Sequence, residues 1–117
     1  MPPGQFSSRS DWNTTLAGCV VEDATGVRFE RYVEQHIFRP LSMRHSTFRE
    51  PPPPALGPDQ AIGYDGDLTA ANRPAAPDAY NLTVPAAALR SSVGDVTSFM
   101  LAQLHGGALS GHRILRP

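Results

Sequence analysis

The chain reads as mainly α with long proline-rich loops. Apolar residues recur at helical spacing in three separate segments, each with its own start and stop signals. Between those segments lies a high complement of turn-formers, with 12 prolines and 10 glycines in 117 residues. Proline cannot donate to a helix ladder and glycine weakens helix interiors, so much of the remaining chain is expected to be irregular.

The first helix is predicted over residues 14–24. Leu16, Val20 and Ala24 fall at i, i+4 and i+8, and Cys19 extends the same stripe. Asp11 or Asn13 can serve as N-cap, and Gly26 is placed to stop the helix. The second is predicted over 28–38. Phe29, Val33 and Ile37 form its inward stripe, with Glu30, Arg31 and Glu34 outward. It is expected to end at Arg39-Pro40, because the residue before proline is biased away from helix. The third is predicted over 93–105. Ser92 with Asp95 three residues on makes a capping-box-like start, Asp replacing the preferred Glu. Val96, Phe99, Met100 and Leu104 give its apolar stripe, and Gly106-Gly107 end it. The expected core is a cluster of Val20, Val33, Ile37, Phe99 and Leu104, loosely packed.

Between the second and third helices, residues 50–60 read as a linker, with four successive prolines at 51–54. A stiff extended connector is the main reading, and a proline-rich peptide ligand the alternative. Ala61-Ile62-Gly63-Tyr64 is expected to be extended, and residues 65–78 to be loop. No internal repeat is present.

Composition narrows the function classes. The length fits one domain, and the apolar fraction of 40% lies a little below the usual ~45–50%. A formal charge of −1 without a basic cluster argues against nucleic acid as a partner. No apolar run reaches the ~20 residues of a membrane span, and the N-terminus lacks the pattern of a signal peptide. Cys19 is the only cysteine, so no intrachain disulfide can form and the compartment stays open.

An ordered series of motifs runs through nearly the whole chain. Pro2-Pro3-Gly4, a short spacer, Arg9-Ser10-Asp11, Trp12 and Leu16-Ala17-Gly18 come first. Phe29 to Val33, His36 to Met43 and His45-Ser46-Thr47-Phe48 follow. Pro85 to Ser92 with Asp95, and then Ile114 to Pro117, complete it. In order and spacing this series resembles the serine β-lactamase-like hydrolases, a family of class C β-lactamases, penicillin-binding peptidases and esterases. The resemblance implies the helical lobe of that α/β-plus-helical fold, as a single partial domain over 1–117. It also places Arg9-Ser10-Asp11 where the family carries Tyr-Ser-Asn, and Ser42 where it carries a glycine. Ser42 is therefore expected in a turn that prefers positive φ.

The resemblance implies an acyl-enzyme mechanism, in which a serine attacks a carbonyl and water then releases the acyl group. The family's nucleophile sits in Ser-x-x-Lys, and a further lysine in a Lys-Thr-Gly-type triad. This chain contains no lysine; all ten basic residues are arginine. His105-Gly106-Gly107 follows a helix and is not equated with the His-x-Gly of some relatives. At the motif position, Arg9 cannot replace a tyrosine base, because guanidinium stays protonated and accepts no proton. Asp11 can accept a hydrogen bond or act as an N-cap. No catalytic set is therefore intact, and the degenerate motif residues Arg9, Ser10 and Asp11 are the only site candidates.

Other chemistry is sparse. Ser7, Ser8 and Ser10 lie in a loop without a Gly-x-Ser-x-Gly elbow. His36, His45, His105 and His112 permit a Ser-His-Asp set on paper, but such sets are defined by geometry. The histidines lack metal-ligand spacing, and no cofactor motif is present. Trp12 and Tyr80 would line a cleft in the family frame.

Two function classes follow. One is a hydrolase fragment without turnover of its own. The other is an interaction module that docks on another chain, either the absent α/β lobe or a second copy, through exposed apolar surface. Both chain ends cut the family pattern mid-course, which leads to the expectation of a Ser-x-x-Lys segment encoded upstream and a Lys-Thr-Gly or His-x-Gly triad downstream. Substrate is left open among β-lactam, peptidoglycan peptide and short-chain ester.

Overall fold

The computed structural model describes residues 4–5, 9–64, 66, 74–76 and 80–116, and the structural statements below concern these. Helices dominate. Helix α1 spans Asp11–Thr25, and α2 spans Phe29–Val33 and runs on as a π-helical turn over Glu34–Phe38. A 3₁₀ turn covers Pro54–Asp59, α3 is the short Val84–Ala87, and α4 spans Val93–Leu104. A hairpin of β1 (Ala108–Leu109) and β2 (His112–Arg113) follows, pairing Ala108 with Arg113 and Leu109 with His112.

Helix α1 begins three residues earlier than its apolar spacing predicts. Ser10, extended at φ −138 and ψ 120, is its N-cap in place of Asp11 or Asn13, and no side chain caps it. Gly26 closes the helix at φ 67, its N–H donating to the Glu22 carbonyl at 2.8 Å. That left-handed geometry is open to glycine without a Cβ penalty.

The buried face of α1 is not the expected one. Trp12, Leu16 and Val20 are 72%, 61% and 67% exposed, and Cys19 and Ala24 are exposed too. The helix turns Thr15, Gly18 and Glu22 inward instead, with Gly18 buried against α3. A Cβ on Gly18 would lie 2.4 Å from Pro85 Cγ, so the two helices meet where glycine removes the side chain. Glu22 also ties α1 to α2, its carboxylate accepting the Phe29 backbone N–H at 2.7 Å. This satisfies one of the donors that every helix start leaves free.

Pro40 explains the π turn that ends the second helix. It has no N–H, and its ring would crowd the carbonyl four residues back in a regular helix. The chain widens instead: Arg39 N–H reaches the Glu34 carbonyl at 3.0 Å and Met43 N–H the Phe38 carbonyl at 2.8 Å. Arg39 keeps right-handed helical angles despite preceding proline. Ser42 adopts φ 55, the positive value expected of the turn. Glu34 is not outward: it takes a two-pronged hydrogen bond from Arg49 at 2.7 and 2.6 Å. The hydrogen bond first, and then the charge of Glu34, hold the Arg49 guanidinium above its ordinary range. Glu30 is half-buried and pairs with Arg28 at 3.0 Å.

The core lies between this turn and α4. Val33, Phe38, Leu41, Met43 and Ala102 are buried, and Phe29, Ile37, Phe48 and Phe99 pack around them. Phe48 stacks on Phe38 at 5.9 Å between centroids and meets Phe29 edge-on at 5.1 Å. Two residues of the expected cluster, Val20 and Leu104, stand in solvent. On α4 the expected stripe is likewise largely outward: Val96, Met100 and Leu104 are exposed, and Asp95 and Ala102 face inward. The segment expected as a straight connector is half coiled, through the 3₁₀ turn. Tyr64 bridges Ala75, so residues 61–64 are extended at their end, and most of the 65–78 loop lies outside the described residues. The 108–113 hairpin has no counterpart among the expected elements. It turns through Ser110 and Gly111 at φ 48 and 83, the paired positive values of a two-residue hairpin turn.

Two helical glycines should respond oppositely to alanine. Gly18→Ala drives a Cβ into Pro85 and should lower unfolding free energy by about 1–2 kcal/mol, overpacking outweighing the gain in helix propensity. Gly94→Ala meets only ordinary contact, with Ser92 Oγ at 3.9 Å, and should raise stability by about 0.5 kcal/mol. Urea denaturation of the three proteins checks both signs.

Candidate functional site

Arg9, Ser10 and Asp11 lie together at the start of α1. Arg9 Nη2 pairs with Asp11 Oδ1 at 3.2 Å, and both side chains are well exposed. Asp11 is the first helical residue, where a carboxylate is favoured by the positive end of the helix dipole. Its main-chain carbonyl accepts the Thr15 hydroxyl at 2.8 Å. The Ser10 carbonyl accepts Thr14 N–H at 3.4 Å. Backbone and helix start are thus formed at this position, and the Arg9 and Asp11 side chains are a solvent-facing ion pair. Trp12 and Tyr80 are both exposed. Ser7 and Ser8 lie outside the described residues.

The histidines are not brought together around a serine. The His36 ring packs against Tyr32 at 4.4 Å between centroids. His45 Nδ1 faces Asp59 Oδ2 at 3.2 Å. His105 and His112 are exposed at the end of α4 and in the hairpin. No group of three or more His, Cys, Asp or Glu side chains capable of holding a metal occurs among the described residues.

The most organised polar cluster joins residues 45–47 to residues 90–95. Asp95 Oδ2 accepts the His45 backbone N–H at 2.8 Å and the Ser46 hydroxyl at 2.7 Å. Ser46 Oγ also lies 2.7 Å from Ser91 Oγ. Ser46 has one proton and gives it to the carboxylate, so Ser91 is the donor in that second contact. Beside the cluster, Thr47 and Arg90 exchange backbone hydrogen bonds at 2.9 and 3.0 Å as an antiparallel bridge. Asp95 N–H donates to Ser92 Oγ at 3.2 Å, so half of the predicted capping box forms. The other half does not, because the carboxylate is turned to residues 45 and 46.

The hydroxyl chain runs from Ser91 through Ser46 and ends on a buried carboxylate. The His45 ring takes no part in it; only the main chain of His45 does. Such an arrangement holds two segments together, and both the Ser46 hydroxyl and the Asp95 carboxylate are buried within it. Sequence spacing placed Asp95 correctly as a helix-start residue. Its partners lie about fifty positions away, and nothing local marks them.

Residues 2–116 match the family model described as Beta-lactamase. The chain is 27% identical over 106 residues to Protein flp of Staphylococcus aureus (strain MW2), covering 88% of this chain and 20% of that protein. It is 44% identical over 46 residues to a putative D-alanyl-D-alanine carboxypeptidase of Escherichia coli (strain K12), covering 39% of this chain and 11% of the relative. It is 35% identical over 49 residues to a probable hydrolase, clz13, of Cochliobolus lunatus, covering 42% and 8%. The chain therefore spans a fifth or less of the length of these curated relatives.

Removing the Asp95 carboxylate tests its structural role. Asp95→Ala deletes both acceptor contacts, leaving the His45 N–H unpaired and the Ser46 hydroxyl with only Ser91 beside it, which should cost about 2–3 kcal/mol in urea denaturation. Asp95→Asn keeps an acceptor oxygen and should cost less.

Proposed function

The chain belongs to the beta-lactamase family, and on that premise we propose that it forms the helical wall of a serine hydrolase cleft and turns nothing over by itself. The observation that carries this reading is the Arg9–Asp11 pair at the start of α1, in a chain without lysine. A hydrolase of this kind needs a serine whose proton is taken by a lysine or phenolate partner. A tyrosine can fill that role when a nearby cation lowers its pKa. A guanidinium accepts no proton, and that of Arg9 is paired with Asp11. The reaction of the assembled enzyme is acyl-enzyme hydrolysis of an amide or ester, with the nucleophile supplied by sequence that this chain does not contain.

The exposed faces of α1 and α4 support a docking role within that assembly. Trp12, Leu16 and Val20 line one, and Val93, Met100 and Leu104 the other. Apolar stripes of this kind mark surfaces that are covered in association. The same stripes favour a second reading, a non-catalytic module that docks on another chain or on a second copy.

The purified chain should hydrolyse neither a chromogenic β-lactam nor a short p-nitrophenyl ester above background. Turnover that vanishes on replacing one serine would overturn the reading. Restoring the motif with Arg9→Tyr and Asp11→Asn together should leave the chain inactive, since the nucleophile and its lysine are still missing. Activity in that double variant would show that the chain carries a serine nucleophile of its own.

A further inference from the structure

One cleft stands apart from the degenerate motif. It opens between residues 45–47, the 3₁₀ turn and residues 89–92, with a volume of about 380 Å³. That lies within the roughly 300–1,000 Å³ range of small-molecule sites. Its lining carries charges of opposite sign. Arg90 forms no ion pair with any described carboxylate. Its Nε is shut off from solvent and has no acceptor among the described residues. That one donor is closed to a ligand as it is to water, so an anion in the cleft would meet the rest of this half-withdrawn guanidinium, which has no carboxylate partner. The same cleft holds Asp59, with one carboxylate oxygen facing His45 Nδ1 at 3.2 Å and the side chain otherwise open. Leu56 and Leu89 supply apolar wall.

We propose that this cleft binds a small zwitterion, a free α-amino acid with an apolar side chain. Its carboxylate pairs with Arg90, whose planar donors match a carboxylate two-on-two. Its ammonium, with three donors, meets Asp59. Its side chain lies against Leu56 and Leu89. The site goes beyond the hydrolase reading and stands without it, because none of these residues belongs to the motif at the start of α1.

Titration of the intact chain by NMR tests the proposal, with leucine, glycine and acetate as probes and the His45 ring and the residue 89–92 amides as reporters. Leucine should give saturable shifts at millimolar concentration and bind about tenfold more tightly than glycine or acetate. Arg90→Gln should weaken leucine and acetate alike, by about tenfold or more. Asp59→Asn should weaken leucine by a similar factor and leave acetate unweakened. The bridge from residue 90 to Thr47 is made by main-chain atoms, so Arg90→Gln keeps it. Asp59 is 62% exposed, so its replacement decides the matter even if the arginine variant fails to fold. Absence of saturable shifts with leucine, or leucine binding unchanged in Asp59→Asn, would overturn the proposal. A failure here would leave the hydrolase reading standing, since that reading is tested by turnover.

Discussion

The Asp95 carboxylate is the contact on which the rest of the structure depends. It sits in the first turn of α4, is almost fully buried, and holds residues 45 and 46 through a main-chain N–H and a hydroxyl. Those residues follow the wide turn at Pro40, which has no regular ladder of its own to fix it. With residue 46 tied down, Thr47 can bridge Arg90 and Phe48 can stack on Phe38. The buried aliphatic cluster is thus closed by a polar clamp at one edge. Hydrogen bonds to a charged acceptor are stronger and more directional than apolar contacts, so they suit a place where register must be set.

Local chemistry was legible in the sequence, and long-range pairing was not. Gly26, Ser92 and the Gly106-Gly107 pair end or start helices where the caps predicted, because a cap depends only on residues within a turn of it. Ser42 takes the positive φ expected of its turn. The burial of α1 was misread for a physical reason. Leu16 and Val20 mark an apolar face, but spacing does not say whether this chain supplies anything to cover it. What α1 meets instead is α3, four residues long and too short to show a period. Its contact is marked by glycine and proline, which hydrophobic patterns ignore. The hairpin was missed because two-residue strands cannot display alternation, although Ser110-Gly111 is a turn-forming pair.

At the motif position the main chain and the side chains tell different stories. Ser10 and Asp11 begin α1, so the main chain at the motif is a helix start. The side chains are an ion pair in water, worth little to stability. A helix start is robust to such replacement because it asks only for a polar residue with extended angles. A base at the Arg9 position is not, since a guanidinium accepts no proton.

The Gly18–Pro85 contact acts as a fulcrum. Asp11 lies seven residues before it, about 10 Å along the axis at 1.5 Å per residue. A tilt of about 10° around that point would carry the start of α1 through roughly 2 Å, enough to realign any group mounted there. The volume of two small residues, one two turns along the helix and the other some seventy residues away in sequence, therefore sets the aim of the helix. Altering that contact would move whatever side chain stands at the tip of α1 without replacing it.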